Sequence, residues 1–500
     1  MSNIMEFSIT IKNENGEEIV VKKGSREVPF VEEIEAKGFR DAFDDYETAV
    51  LELTKETRDA VTAEYLKEAS KKKAEKHAGV GIRITETPYK IECELGNIMT
   101  KSHTAKNKNG TVFNSAKEFF DETGPLEPFR SKRFMKLVLF FSTVMSNRTA
   151  SALLNRVRLE TEGGISPMTL SNVVKREGLN MQRYIEEQCV KTLEKNGITI
   201  GDGGQLQREI EFSVEKGEYI AEEEIQTAAK RLEIESFNAS DYEMPGKAVS
   251  ISVDGIYVKR QTECRPRSKQ KEEQLKRVNN TVVHIEKDEN RFVLNSGTVI
   301  EAFEQLASFL LHNNLLEKQL SFFVDGARDI NNMIYNMFGK LNIKIILDWY
   351  HLEKKCLEQL SMALKGSKIR NEFMDKLRPA LWFGKVDKAI NLLQTLEPEK
   401  VKNPNLLEKL AEYFERVRDH IPCYALRKEL GLRNSSNPVE KANDIVVAKR
   451  QKRNGMGWSD DGSLASASVS AANYNGQLDN WVNNGVINFS LNCSTTAACL

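Results

Sequence analysis

The sequence contains no long apolar stretch. No run of about 18 consecutive apolar residues occurs, which is the minimum for a membrane-spanning helix. The N-terminal segment MSNIMEFSIT also lacks the basic and then apolar pattern of a secretory signal. We therefore expect a soluble, cytoplasmic protein with no membrane partner.

An excess of charge of either sign is absent too. Lys and Arg together number 72 and Asp and Glu 73, so the formal net charge is −1. This balance excludes a globally basic nucleic-acid coat, and any nucleic-acid contact must come from local basic patches. The seven cysteines are odd in number and include no CxxC pair, which argues against a disulfide framework or a zinc finger and favours buried or idle thiols.

The C-terminal part of the chain, residues 459 to 500, contains no Lys or Arg and is rich in Ser, Ala and Asn. Low-complexity sequence of this kind has too few large apolar side chains to form a core. We expect a poorly ordered tail.

The length predicts about three domains. Residues 1–130 are predicted to be a mixed α/β region, with a hairpin in the first thirty residues, a helical stretch from about Val31 to Lys76, and short strands to about Val112. No chemistry is assigned to this region.

Residues 131–245 are predicted to be helical. In this region Ser166 is a candidate helix cap and Pro167 a candidate first helical residue, followed by an apolar stripe that contains Leu170 and by exposed Lys175 and Arg176. Two interpretations remain open: the DNA-recognition helix of a helix-turn-helix, or an ordinary surface helix.

The segment after residue 246 alternates strands and helices. A strand over Val249–Val253 precedes Asp254, a hairpin pairs Thr281–Ile285 with Arg291–Leu294, and an apolar strand Leu320–Val324 precedes Asp325. Predicted helices at 299–312 and about 327–337 lead to a strand over Ile343–Leu347, which ends at Asp348. Three contiguous strands followed by two strands with helical crossovers match the mixed sheet of the ribonuclease H type.

Asp254 and Asp325 follow strands that are neighbours in such a sheet, so their carboxylates should converge. Converging carboxylates repel each other unless a cation lies between them, and Mg²⁺ prefers oxygen ligands. Glu440, near the start of a predicted helix with Asn437 as its cap, is the candidate third ligand. Simpler alternatives are an Asp-Gly turn for each aspartate and a capping box for Glu440.

Four segments carry a resemblance to a known family. They are SVDGIYV around Asp254, FFVDGARDI around Asp325, ILDWYHLEKK from Ile345, and SSNPVEKANDIVVAKRQKRNGMGW from Ser435. Over residues 247 to 460 the sequence resembles the DDE insertion-sequence transposases of the Mutator-like branch. The third segment fits that family's C/DxxH motif with Asp348 and His351.

Taken with the regions before it, the segment after residue 246 predicts an α+β multidomain protein, and the resemblance implies what its core does. Its ribonuclease H-like core would comprise residues 246–351 and 433–458, with a helical insertion at 352–432 and the helical DNA-binding region before it. Two Mg²⁺ ions, with Mn²⁺ as a substitute, would be bound by Asp254, Asp325 and Glu440 and would serve cleavage at the element ends and strand transfer into target DNA. His351 would either orient a scissile phosphate or hydrogen-bond Asp348.

Basic residues flank the expected metal site. A loop over residues 259–277 has eight basic residues against three glutamates, and a second patch follows the Glu440 helix. We expect both to contact DNA, the alternative being solvated loops. The basic residues are Lys259, Arg260, Arg265, Arg267, Lys269, Lys271, Lys276, Arg277, Lys449, Arg450, Lys452 and Arg453. Trp458 would either stack on a base or cover the core.

The predicted partners are terminal inverted repeats and target DNA, with the protein associated with the nucleoid. Because two element ends react together, we also expect a homo-oligomer. Two other functions remain open: a catalytically inactive relative that only binds DNA ends, and a host ribonuclease H-like nuclease.

Overall fold

The structure, a computed structural model, describes residues 3–78, 83–106, 110–115, 128–160, 163–201, 203–208, 212–261 and 277–491. The protein is a mixed α/β chain that divides into two compact units, Met1–Val173 and Val174–Leu500. The boundary predicted from sequence near residue 131 does not coincide with this division. None of the helices in these ranges is long and apolar enough to cross a membrane.

The first unit begins with the predicted hairpin. The bounds of its helices and strands are β1 Asn3–Lys12, β2 Glu18–Val28, α1 Val31–Lys37, α2 Phe39–Ala78, β3 Arg83–Cys93, β4 Gly96–Lys106, β5 Val112–Asn114, β6 Phe129–Arg130, α3 Lys132–Val144 and α4 Asn147–Val157. Strands β5-β4-β3-β6 form one sheet in that order. The helical stretch predicted from residue 31 is interrupted at Gly38, whose φ of +87° ends α1.

Helix α5, Pro167–Lys195, contains the division between the two units. As predicted, Ser166 caps it, with its Oγ accepting a hydrogen bond from the backbone N–H of Thr169 at 3.0 Å. Leu170 is buried, which confirms the apolar stripe. Beyond α5 the chain is less helical than expected, because a short hairpin, β7 Ile198–Ile200 with β8 Leu206–Arg208, precedes α6, Glu222–Arg231.

The second unit is built on a five-stranded mixed sheet with the order β11-β10-β9-β12-β13. Strands β9, β10 and β11 are antiparallel, whereas β12 pairs parallel with both β9 and β13. The elements of the sheet and its crossovers are β9 Val249–Lys259, β10 Arg277–Lys287, β11 Asn290–Ser296, α7 Val299–His312, β12 Leu320–Val324, α8 Arg328–Phe338 and β13 Ile343–Leu347. All five residues of β12 are buried, as its continuous apolar sequence requires.

The segment predicted to be a helical insertion is indeed helical. Its helices are α9 Trp349–Ala363, α10 Ser367–Trp382, α11 Val386–Gln394, α12 Pro404–Arg416 and α13 Tyr424–Glu429. They share one hydrophobic cluster with the end of β13, in which Leu347, Leu352, Leu377 and Phe414 have no exposed surface. The insertion is therefore packed onto the sheet edge that carries Asp348.

Helix α14, Asn437–Asn443, continues into a π-helix, Asp444–Ala448, and then into α15, Lys449–Gln451. Val439 and Val446 of this segment pack on Val282 and Val293 of the sheet. This packing brings the Glu440 segment back to the central strands after the long insertion.

The expectation of a poorly ordered tail is wrong for residues 459–491. These residues include α16, Asp460–Tyr474, and α17, Leu478–Asn484. Ala467 of α16 belongs to the same cluster as Val282 and is fully buried. Small side chains allow this close packing: a Cβ placed on Gly178 would lie 2.2 Å from the carbonyl oxygen of Ala465. Residues 492–500 lie outside the described part.

Candidate functional site

The sheet register brings the two predicted catalytic aspartates to one level. In the parallel ladder between β9 and β12, Ser252 pairs with Phe323, and each aspartate lies two residues beyond its member of this pair. The ladder between β12 and β13 ends with Val324 opposite Leu347, so that Asp325 and Asp348 follow at the next position. Asp254, Asp325 and Asp348 therefore lie side by side, at the edge of the sheet where the parallel pairing of β9, β12 and β13 ends.

The sequence predicts that the strand ends at Asp254, but the structure shows otherwise. β9 continues to Lys259, and Asp254 pairs with Val282 of β10. It lies instead just beyond the point where β9 ceases to pair with β12. The pairing of β9 with β10 continues through Gly255, but the buried apolar positions change from odd-numbered residues before Gly255 to the even-numbered Ile256 and Val258 after it. Ile256 and Val258 therefore lie on the same face of β9 as Asp254.

The environment of Asp254 opposes its ionisation. Burial, and next the negative charge of Asp325, raise the pKa of the Asp254 carboxyl to about 6, with a smaller contribution from the charge of Glu440. His351 and a backbone hydrogen bond from Gly255 act in the opposite direction. The predicted catalytic residues thus influence one another electrostatically.

One oxygen of each aspartate accepts a defined hydrogen bond. The amide Nδ2 of Asn443 donates to Oδ2 of Asp254 at 2.6 Å, and the backbone N–H of Ala327 donates to Oδ1 of Asp325 at 2.8 Å. Asn443 lies one helical turn after Glu440. Asn443 is not among the site residues predicted from sequence, although its position three residues beyond Glu440, on the same helix, is a signal that could have identified it.

Asp348 is fully buried and joins two segments that are distant in sequence. Its Oδ1 accepts a hydrogen bond from the backbone N–H of His351 and so caps α9, while Oδ2 accepts from the backbone N–H and the hydroxyl of Ser436. Ser436 comes just before α14. Asp348 therefore fixes the start of the Glu440 helix relative to the end of β13.

Glu440 interacts with His351 and does not form a capping box. The Nε2 of His351 donates to Oε1 of Glu440 at 2.9 Å. Asn437 is the first residue of α14 and not its cap, and the preceding Ser436 makes no side-chain capping bond. Of the two roles predicted for His351, the bond to Asp348 comes from its backbone N–H, which leaves the imidazole directed at Glu440.

The donor set at this edge suits Mg²⁺ in type. Carboxylates are hard oxygen ligands. Burial and the charge of Asp325 together raise the pKa of Asp254, and a cation between Asp254 and Asp325 would offset both effects. The Oδ1 of Asn443 is buried without a hydrogen-bond partner among the described residues. In the same part of the chain no three His, Cys, Asp or Glu side chains form a ready metal-binding group. The two aspartates fit the ion, whereas Glu440 is engaged with His351.

Several of the predicted DNA-binding residues have intramolecular partners. Arg260 pairs with Asp460, and Lys175 with Asp461. Arg176 contacts Glu177, and Arg453 lies 3.6 Å from Asp444. Lys259, Arg277, Lys449 and Lys452 are exposed. Arg265, Arg267, Lys269, Lys271 and Lys276 lie outside the described residues.

Arg450 cannot belong to an exposed patch as predicted, because it is only 5% exposed and its guanidinium lies over the ring of Trp458. Trp458 packs against the cluster around Val282, and its indole N–H donates to the carbonyl of Gln451. The structure favours the core-covering role of this tryptophan over stacking on a base.

Four of the seven cysteines lie in the described part of the chain. Cys93, Cys189, Cys356 and Cys423 are free, and Cys189 and Cys356 are buried. Burial raises the pKa of both buried thiols to about 12, which keeps them protonated and unreactive.

Comparison with protein-family models gives no match, and comparison with curated proteins gives none either. The function must therefore be argued from the site itself.

Proposed function

We propose that this chain is a DDE-type transposase that cleaves DNA at the ends of its element and transfers the cut strands to target DNA, acting at the nucleoid. One observation carries the proposal: the register of β9 and β12 aligns Asp254 with Asp325, and their charges are close enough to shift the pKa of Asp254. Paired carboxylates at the edge of a mixed sheet are typical of metal-dependent phosphoryl transfer.

The order of the strands supports the same proposal. A sheet of order β11-β10-β9-β12-β13, antiparallel at one side and parallel at the other, agrees with a ribonuclease H-like core. The helices α9 to α13 between β13 and the Glu440 helix agree with the insertion that the family resemblance implies.

Asp254 and Asp325 would bind two Mg²⁺ or Mn²⁺ ions, with Glu440 as the third carboxylate. Such ions lower the pKa of a bound water or 3′-hydroxyl and stabilise the charge on a phosphate under attack. Asn443 holds one oxygen of Asp254, and Asp348 fixes the helix that carries Glu440. His351 orients Glu440 through Nε2. Because both element ends react together, a homo-oligomer is the expected working form.

The test is a nicking assay on a supercoiled plasmid that contains this gene with its natural flanking DNA. We expect Mg²⁺-dependent nicks at the element ends with the wild-type protein. Asp254→Asn, Asp325→Asn and Glu440→Gln should each lower the nicking rate by at least about a hundredfold, because each removes a ligand charge at the reacting phosphate. Gel-shift affinity for the same DNA should hardly change.

Asp419→Asn is the matched control, since Asp419 is exposed in the helical insertion and takes no part in the site. It should nick like the wild type. Full nicking by any of the three site variants contradicts the assignment. DNA binding without nicking would identify an inactive end-binding relative, and cleavage of RNA–DNA hybrids without end preference would identify a host nuclease.

A further inference from the structure

A cavity lies directly beyond Asp325, where its lining begins with Gly326. Its volume is about 600 Å³, within the range that small ligands occupy in proteins. Gly326 and Ala327 of the loop after β12, with Arg328 at the start of α8, form one wall, and residues of α9 and α12 form the others. Because the loop follows Asp325 without a break, a molecule in the cavity would be a neighbour of the proposed catalytic site.

The walls of the cavity are strongly basic. They include the four cationic side chains Arg328, Lys355, Lys409 and Arg416. The only carboxylate in the lining is Glu412. Among the described residues no carboxylate lies within ion-pair distance of any of the four cations. Arg328, Lys409 and Arg416 are exposed and Lys355 is half-buried, so water screens their mutual repulsion, but their combined positive potential attracts an anionic ligand to the cavity.

Tyr413 supplies an independent observation. It is only 6% exposed, it lines the cavity, and its hydroxyl has no hydrogen-bond partner within the described structure. The Nζ of Lys355 lies over its ring, 4.4 Å from the centroid, and the guanidinium of Arg416 lies 5.3 Å from the same centroid. A buried hydroxyl without a partner is destabilising, so its presence here indicates an acceptor supplied from outside.

The hydroxyl of Tyr413 is directed at the loop after Asp325. A Cβ placed on Gly326 would lie 2.8 Å from this oxygen, and the φ of +85° at Gly326 also disfavours any larger residue. The same cavity wall contains Gln359, whose Oε1 is likewise buried without a partner among the described residues. The cavity thus presents four cations and a hydroxyl donor, together with one amide acceptor.

We propose that this cavity binds a phosphate group of the DNA strand, next to the phosphate that reacts at Asp254 and Asp325. Phosphate oxygens are the acceptors that lysine, arginine and tyrosine hydroxyl groups recognise together. Gln359 would accept a hydrogen bond from the sugar or base of the same nucleotide. The inference rests on the proposed function, because it takes the substrate of the neighbouring site to be DNA.

The test measures fluorescence anisotropy of a labelled single-stranded oligothymidylate with the full-length protein in EDTA, so that no cleavage occurs. Lys409→Ala and Arg416→Ala should each weaken binding roughly fivefold and lower the salt slope by about 0.7, the loss of one phosphate contact on a single strand. Tyr413→Phe should weaken binding roughly threefold. The matched control is Lys388→Ala, an exposed lysine of α11 outside the cavity, which should bind like the wild type.

Folding is checked by thermal unfolding. Tyr413→Phe should not lower the melting temperature, because the lost hydroxyl has no partner in the free protein. Tyr424→Phe should lower it, because the Tyr424 hydroxyl donates to the carbonyl of Leu347 at 2.8 Å. A fall in melting temperature for Tyr413→Phe comparable to that for Tyr424→Phe would overturn the inference that this hydroxyl awaits a ligand.

The two proposals fail in different ways. If the cavity variants bind oligothymidylate as tightly as the Lys388→Ala control while the wild type nicks DNA, the phosphate site is wrong and the transposase proposal stands. If binding depends on the cavity but no Mg²⁺-dependent nicks form, the phosphate site stands without the nuclease. A wild-type protein that binds no oligothymidylate at all overturns the phosphate site.

Discussion

The side chains of Asn443 and Asp254 meet across 189 positions of sequence in a hydrogen bond of 2.6 Å. This bond joins the helix of Glu440 to the central strand of the sheet. It also restricts the rotation of the Asp254 carboxylate, because one of its two oxygens is engaged by a side chain from a different element.

The first prediction concerns this bond. Asn443→Ala should lower the rate of nicking by about tenfold without changing DNA affinity, since a hydrogen bond to a charged group contributes roughly 1.5 to 3 kcal/mol. Asn443→Asp should lower it further and move the pH dependence of nicking upward, because a second negative charge raises the pKa of Asp254. An unchanged pH profile for Asn443→Asp would show that residue 443 does not act through Asp254.

The second prediction concerns stability and pH in the absence of metal. The pKa of Asp254 is raised from 3.8 to about 6, so the folded state holds this proton more tightly than the unfolded state does. The carboxylate therefore destabilises the fold progressively as pH rises from about 4 to 6, and fully above that. Urea unfolding should show Asp254→Asn to be more stable than wild type at pH 7.5, by at most about 3 kcal/mol.

Below the ordinary pKa of aspartate this stability difference should vanish. The buried imidazole of His284, whose pKa burial lowers to about 4, destabilises both proteins on acidification and cancels in the comparison. At pH 7.5, Mg²⁺ should raise the melting temperature of the wild type but not of Asp254→Asn. Equal stabilisation of both proteins by Mg²⁺ would count against Asp254 as a ligand.

The third prediction concerns Asp348. Asp348→Ala removes the cap of α9 and leaves two donors of Ser436 without their acceptor. The free energy of unfolding should fall by about 2 to 4 kcal/mol. The control is Ser459→Ala, which removes only the cap of α16, in which Oγ accepts from the backbone N–H of Gly462, and should cost about 1 kcal/mol. Equal losses in the two variants would mean that Ser436 does not depend on Asp348.

The fourth prediction concerns the buried ion pair between Glu243 and Arg427. Arg427 has no exposed surface, and both its terminal nitrogens bond to the carboxylate, at 2.8 and 2.7 Å. Glu243→Ala leaves a buried guanidinium without its counter-charge and should cost about 3 to 5 kcal/mol in urea unfolding. Replacing both partners, by Glu243→Leu with Arg427→Met, should cost less than the single change. Asp387→Ala, at the exposed pair with Arg418, should have little effect.

The elements with one dominant signal could be predicted from sequence. The observed bounds of β12, β13 and α7 agree with the predicted ones residue for residue. Each strand is a short, mostly apolar segment between polar residues, and the capping residue Thr298 marks the start of α7. The sequence also predicts that the carboxylates of Asp254 and Asp325 lie at the same edge of the sheet, because it predicts that their strands are neighbours.

Other features depend on packing that a pattern does not encode. The bond of Asn443 to Asp254 and the engagement of Ser436 by Asp348 join residues 189 and 88 positions apart, and nothing local distinguishes these polar side chains from exposed ones. The Ala- and Ser-rich composition of residues 459–491 predicts disorder wrongly, because small side chains are typical both of a solvated tail and of a helix that packs closely on its neighbours.

The position of α16 has a consequence for the biogenesis of the protein. This helix covers β10 and β11 and holds Gln182 and Asn280 through Ser468 and Ser463. During translation, residues 277–296 of the two strands are synthesised more than 160 residues before α16 begins at Asp460, so these strands leave the ribosome with one face uncovered. Final closure of this unit must follow synthesis of the last helices, and nascent chains that stall before residue 460 should require chaperones to stay in solution.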